Sequence, residues 1–458
     1  MHIPRGLNPR PERKVTKSLR MSSPRRIGIL RDKPQLALVL SLLSAVSAWF
    51  YVQRILVPHQ LAEAAAHGRP RGNLSDLYPR WLGARELLLH HRDPYSAEIT
   101  REIQIGYYGR PLDPTRPADP KDQQGFAYPA YVIFLLAPII HLPFEIVQVG
   151  FRYLLWLLTA ASVCLWLRFL QWRPPASLLG ILFMLTMSSF PAAQGFKLQQ
   201  LSLLVAAMIA AGAALLVSAH IFLAGCLLAL ATIKPQLAVL PAAWLLLWSV
   251  SNWRERQRLF WGFIVTMALL IGGAEFVLPG WIGRFRAAMI AYRQYTGGNS
   301  LADVLLTARW GTLLITLALL GLAAVCWRLR SYPADSAEFS LAFSLVLAVT
   351  LLVIPMMAPY NQVLLLPGIF LIIRSGKALW RRNSFTRFVC ALAIVLVFWP
   401  WVAEFGLMLC ALVVPPTSLQ QAWAVPSTPA LAFRRSLRDC WCCCWRNKQR
   451  GQSFASLA

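Results

Sequence analysis

Charge is what this sequence is shortest of. Only 14% of its residues are Asp, Glu, Lys or Arg, where a soluble domain carries about 25%. The place of charge is taken by apolar residues, at 57% of the chain against the roughly 45–50% of a soluble domain. Acids are the scarcer sign, with 19 Asp and Glu against 45 Lys and Arg. Strict apolar–polar alternation is missing, which excludes a membrane β-barrel. Internal repeats, which many transporters carry, are missing too. Metal-ligand spacing is also absent. Of nine cysteines, four (Cys440, Cys442, Cys443 and Cys444) crowd into "RDCWCCCWRNK", too close together to ligate one zinc in the usual spacing. The other five sit singly in apolar runs, where Cys acts as a small hydrophobe. No metal and no cofactor is expected. The cysteine tail reads as an unstructured basic terminus, with acylation beside the membrane as the alternative.

What remains is a series of continuous apolar runs, several of them near the roughly 20 residues that cross a bilayer as a helix. The fold class is all-α polytopic membrane protein, with roughly 11–12 crossings at that length and helices in its external loops. A basic N-terminal tail (1–34), a transmembrane domain (35–420) and a C-terminal tail (421–458) divide the chain. The net charge of +26 suggests nucleic acid at first sight. The positive residues gather instead in both tails and in short connectors, as contact with an inner leaflet requires, so no nucleic-acid partner is expected. The positive-inside rule places the N-terminus in the cytoplasm. Its apolar run starts too late and runs too long for a cleavable signal peptide. A multi-pass protein of a bacterial cell membrane is the expectation.

The first span is read at 35–57, and further spans at 128–143, 146–169, 176–193, 199–217, 258–278, 303–328, 337–356, 360–375 and 386–415. The stretch 219–250 is too long for one simple span and holds Pro235 and Pro241, so a broken helix is expected there. Parity from an inside N-terminus leaves two larger loops outside, 58–126 and 279–300. "WRERQR", "WRLRSYP" and "RSGKALWRRN" fall inside, as their charge requires. "RFLQWRPP" near 168–175 falls outside, against its charge. In the first loop, "SDLYPRWLGARELLLHH" opens on a Ser-Asp cap signal and sets Trp81, Ala84, Leu87 and Leu88 on one helical face. That pattern predicts an amphipathic helix along the membrane surface.

Ionisable residues at or inside a membrane are functional candidates by default, and each has a structural alternative. Asp76 is a general base or merely a helix cap. Lys234, before Pro235 in the broken helix, binds an anion or snorkels to an interface. Glu275 lies near the end of its span, where it can simply face water. Asp303 and Asn299 sit around "GGNS", an ordinary turn and cap. Tyr360, Asn361 and Gln362 open a span and can serve only to bond helices together.

Taken in order, these elements resemble the GT-C class of membrane glycosyltransferases. Within it they are similar to family 87, whose members use polyprenyl-phosphate mannose. The matching elements are Asp76, "HHRDPY" with Asp93, Pro94 and Tyr95, "FAYPA" at Phe126–Ala130, "APIIHLP" at Ala137–Pro143, and Trp156. A Gly-Gln element looks displaced into "QGFKLQQLSLL" from Gln194, and "AGCLLALATIKPQLAVLP" (Ala224–Pro241) matches best. The chain departs where the family often has Gly at His91, a second Pro at Ala130, and Trp and His in "MMAPYNQVLLLP".

The resemblance implies an inverting hexosyl transfer, of mannose by the family's habit, from a polyprenyl-phosphate donor to a lipid or glycan acceptor on the external face. Asp76 is then the base, since a carboxylate within hydrogen-bond reach can take the acceptor's proton. Lys234, with Arg293 second, is the candidate for the donor phosphate, where leaving-group charge needs a cation. Tyr95, Tyr128, Asn299, Tyr360 and Asn361 are candidate substrate contacts. A lipid-linked-sugar flippase and an inactive scaffold of the same fold are the rival readings.

Overall fold

The computed structural model describes residues 34–68, 75–113, 115–116, 119–120, 123–296, 300–306, 308–355 and 358–427. Asn299, the Cys440–Cys444 cluster and nearly all of both tails lie outside the described residues. Among those described, every regular element is helical. Six helices are long and apolar enough to cross a membrane: Pro34–Ala66, Phe144–Phe169, Trp253–Val277, Arg309–Leu329, Pro359–Arg382 and Ser384–Cys410. A pair of helices bent by 51°, Ala176–Ser188 with Phe190–Leu198, is together long and apolar enough to make a broken span or a re-entrant loop. Four shorter apolar helices, Leu201–Val217, Ile221–Ala231, Pro235–Ser251 and Ala337–Val353, fill the middle of the chain. The chain is an all-α polytopic membrane protein.

The break expected in 219–250 falls at Thr232–Lys234. Lys234 precedes a proline and is driven out of helical geometry, to φ −123° and ψ 79°, as the Pro ring requires of the residue before it. The freed Thr232 carbonyl accepts a bond of 2.9 Å from the Tyr131 hydroxyl.

The crossing read at 128–143 is not one. That segment is a five-residue helix, Val132–Leu136, and a single 3₁₀ turn, Ala137–Ile139. Pro129, Pro138 and Pro143 cut it short, because proline interrupts helical hydrogen bonding. It is apolar because it is buried inside the protein: Ala130, Val132, Ile133 and Leu136 have no exposed surface. It packs under the loop helix Tyr78–His90, whose Trp81 donates to the Ile139 carbonyl at 3.2 Å. The apolar face of that loop helix, with Trp81, Ala84 and Leu87 buried, is therefore covered by protein and not by a membrane surface.

Removing that crossing, and counting 219–250 as two passes, Ile221–Ala231 and Pro235–Ser251, on either side of its break, repairs the topology. Arg168 donates to Ser218 Oγ at 2.9 Å and Arg374 to the Leu170 carbonyl at 2.5 Å. Arg256 donates to the carbonyls of Arg330, Ser331 and Tyr332 at 2.9, 3.0 and 3.2 Å. Phe339 packs against both Phe169 and Trp248, so the four basic connectors, "RFLQWRPP" included, share one end of the bundle. The other end gathers Asp76, the 124–129 segment, Gln200, the helix break, the Trp281–Thr296 helix and 354–361 around one cavity. The stretch read as the 279–300 loop is therefore mostly helix.

The helices that carry the break are locked by glycine. A Cβ on Gly225 would lie 2.2 Å from the Leu259 carbonyl oxygen, and one on Gly262 2.2 Å from that of Phe222. Small residues let membrane helices approach this closely. Gly262→Ala is expected to destabilise the fold by about 1–3 kcal/mol, the usual cost of overpacking. A thermal melt of the purified variant reads this directly, and an unchanged midpoint would refute the close approach.

Candidate active site

Two loop helices bring the first carboxylate to the cavity. Ser96 caps the Ala97–Tyr108 helix by accepting from Ile99 N. Arg92 clamps this helix to its predecessor through Glu86 at 2.8 Å, Glu98 at 2.9 Å and Glu102 at 2.5 Å. His91, at the end of the Tyr78–His90 helix, has φ 55°. That left-handed conformation suits glycine, which explains the Gly often found at this position in the resembling family. Further along the loop Arg110 pairs with Asp119, holding that carboxyl well below the usual carboxylate range.

Asp76 does not cap its helix. Leu77 is the N-cap, and its apolar side chain makes no capping bond; the nearby cap-like contact is made by Ser75 Oγ, which accepts from Leu77 N at 3.2 Å. The Asp76 carboxylate is spent elsewhere. Its Oδ1 accepts from the Tyr107 hydroxyl at 3.2 Å and its Oδ2 from the Gln200 side-chain amide. Its backbone N–H donates to the Leu198 carbonyl at 2.9 Å, docking the loop onto the end of the bent pair. There Gln199 takes φ 47°, so the chain turns in the left-handed region that favours glycine.

The cavity holds about 490 Å³. Asp76, Lys234, Arg293, Tyr128, Tyr360 and Asn361, six of the residues singled out from sequence, line it together. Lys234 is 5% exposed. It donates to Gln200 Oε1 at 3.1 Å and to Ser202 Oγ at 2.5 Å, and stands 5.0 Å above the Tyr360 ring. Ser202 in turn donates to Asn361 Oδ1 at 2.7 Å. The hydrogen-bond acceptors on this ammonium are neutral, so the charge is directed at the cavity without an ion pair among the described residues. Arg80 stacks 4.6 Å over the Tyr128 ring, and Arg286 and Arg293 face the cavity from the Trp281–Thr296 helix.

Other candidates fall outside the cavity. Tyr95 lines a neighbouring space of about 110 Å³. Its hydroxyl donates to the Tyr128 carbonyl at 2.6 Å, and burial raises its pKa well above the ordinary tyrosine value, with Asp93 adding to the effect. Asp93 pairs at 2.7 Å with Arg284 of the Trp281–Thr296 helix. Glu275 accepts from Gly280 N at 2.7 Å and so fixes the turn before that helix. Asp303 accepts from Ser300 N at 2.9 Å and from its hydroxyl at 2.7 Å, the bonds that hold its carboxyl below the usual range. Trp156 is exposed on the outer face of its helix.

Sequence reasoning missed Arg80, Tyr107, Gln200, Ser202 and Arg286. Gln200 and Ser202 lay in a quoted motif, but nothing local tells that they meet residues 124 and 159 positions away. Arg80 and Arg286 looked like ordinary basic residues of loop helices.

Chemically, the arrangement is a cavity lined by one carboxylate, that of Asp76, and by four cations, Arg80, Lys234, Arg286 and Arg293. That charge balance suits an anionic substrate. No curated protein and no solved structure matches the chain. A family model, that of glycosyltransferase family 87, matches residues 126–355. The matched stretch holds Tyr128, Gln200, Lys234 and Arg293, with Asp76 before it and Tyr360 after it. Since it covers half of the sequence, and the helical membrane architecture agrees, the chain belongs to glycosyltransferase family 87 and is a membrane glycosyltransferase.

Proposed function

We propose that the enzyme moves a hexose, mannose by resemblance, from a polyprenyl-phosphate donor to a lipid or glycan acceptor at the external membrane face, with inversion. The observation that carries this reading is the pairing of Asp76 with the unpaired Lys234 charge across one cavity, joined by a single amide. The acceptor hydroxyl attacks the anomeric carbon and gives its proton to Asp76. The bond from that carbon to the phosphate oxygen breaks, and polyprenyl phosphate leaves from the opposite face of the sugar with the bonding electrons. Negative charge grows on the leaving phosphate, where preorganised cations lower the barrier. Lys234 is joined to the Asp76 carboxylate through the Gln200 amide, and Arg293 and Arg286 line the same cavity. Tyr128, Tyr360 and Asn361 contribute wall surface for the sugar, and Asn299 and Tyr95 remain proposed contacts.

Membranes containing the full chain, incubated with radiolabelled polyprenyl-phosphate mannose and glucose in parallel, test the donor. Label should pass from one of these lipids into a new product. Label that stays on both would overturn the donor assignment.

The external placement of the cavity has its own test. Ser96 caps a helix and is half-buried, whereas the neighbouring Ala97 is exposed. A cysteine at Ala97, with native reactive cysteines replaced, should react with a membrane-impermeant thiol reagent in intact cells. Reaction only after lysis would invert the topology.

A further inference from the structure

We infer that Gln200 is a positioning residue for the transfer, an amide spacer that aims Asp76 and keeps its carboxylate apart from the Lys234 ammonium. This rests on Asp76 being the base. The amide can face only one way. A carboxylate only accepts and an ammonium only donates, so the Gln200 NH₂ must meet Asp76 and its oxygen must meet Lys234, as they do. Lys234 thereby fixes the amide's orientation, and polarises it into a stronger donor toward Asp76.

The spacer solves a problem that the charges create. A carboxylate in direct contact with a lysine would spend its lone pairs on the ion pair, and the lysine would lose its call on the phosphate. With Gln200 between them, Oδ1 is held by Tyr107 and Oδ2 by Gln200, and the remaining lone pairs turn toward the cavity. The spacer and the lysine are buried well enough to hold the geometry, Gln200 being 4% exposed and Lys234 5%, while Asp76 is half-buried at the cavity. The Gln200 side chain is free for this work because it makes no capping bond to the Leu201–Val217 helix that it precedes.

The groups that act on Asp76 come from several elements: Arg80 on its own helix, Tyr107 on the next, Lys197 on the bent pair, and Lys234 and Tyr360 across the cavity. None of them changes in a Gln200 variant, so a shift in pH dependence reports the spacer itself.

The experiment compares kcat, KM and pH profile for the purified full chain, Gln200→Met, Gln200→Glu and Asp76→Asn, with the polyprenyl-phosphate sugar that the wild type uses. Gln200→Met should lose about 10–100-fold in kcat with donor KM changed less than about threefold, in keeping with a lost orienting contact. Gln200→Glu sets a second carboxylate against Asp76, and like charge raises a carboxylate pKa. Activity should then be lost at higher pH, with the acid limb displaced upward by about one unit. A merely structural Gln200 would lower folded yield and leave the pH profile of the surviving enzyme unchanged, which overturns the inference. So would wild-type kcat in Gln200→Met. If those results appear while Asp76→Asn is inactive, the spacer alone is wrong. If Asp76→Asn turns over normally, the base assignment falls, and the spacer with it.

Discussion

Asp76→Asn is expected to reduce sugar transfer by at least about 100-fold, within the range that a positioned general base contributes, while the protein folds and melts as the wild type does. The folding half of this expectation follows from the contacts. An asparagine at this position presents its carbonyl to the Gln200 amide and its NH₂ to the Tyr107 hydroxyl, which can accept. Both existing partners therefore stay satisfied. The backbone bond from position 76 to the Leu198 carbonyl does not depend on the side chain. Only the capacity to take a proton is removed. Had Asp76 capped the loop helix, the same substitution would have been a stability variant, but its carboxylate accepts from Tyr107 and Gln200 instead. Turnover at the wild-type rate would remove Asp76 from the mechanism.

Lys234→Met should reduce turnover by about 100–1,000-fold, the effect of removing one preorganised group that stabilises transition-state charge. Expression should be normal or improved, since a lysine at bilayer depth costs about 2.5–3.5 kcal/mol on insertion scales. Snorkelling would have relieved that cost, but the Lys234 ammonium instead reaches Gln200 and Ser202 inside the protein. Lys234→Arg should keep part of the activity, because it restores charge but not the compact fit against the Tyr360 ring. Steady-state kinetics on the two variants separates the roles. Near-normal turnover in Lys234→Met would move the phosphate site to Arg293 and Arg286, which line the same cavity.

The helical membrane class was legible because hydropathy alone reports it. The break at Lys234-Pro235 was legible because proline acts on its neighbour through bonded geometry. What misled was the apolar 128–143 stretch. Hydropathy does not distinguish a segment buried in protein from one buried in lipid, and three prolines there mattered more than composition. That extra crossing put "RFLQWRPP" apart from the other basic connectors, and reading the broken 219–250 stretch as one pass restored the parity after it, so the misplaced connector was itself a readable sign of the error. The cavity was half legible. Charged residues at membrane edges are few, and six of the residues singled out do meet. Gln200, Ser202 and Tyr107 were not legible, because a neutral polar side chain becomes informative only once its long-range partner is known. Asp93 and Tyr95 belong to a recognisable motif, yet they anchor the Trp281–Thr296 helix and the Tyr128 backbone. A motif's spacing identifies its residues without showing whether they touch substrate or hold the residues that do.

The central claim is that sugar leaves its lipid phosphate in the cavity between Asp76 and Lys234. The most direct measurement uses proteoliposomes of the purified full chain, loaded with polyprenyl-phosphate mannose carrying label in the sugar and supplied with a glycolipid acceptor fraction. Sugar incorporated into acceptor and polyprenyl phosphate released are counted in the same sample. The account predicts equal amounts of the two, both abolished by Asp76→Asn. Label that crosses between leaflets still attached to polyprenyl phosphate, with no free lipid phosphate formed, would contradict it.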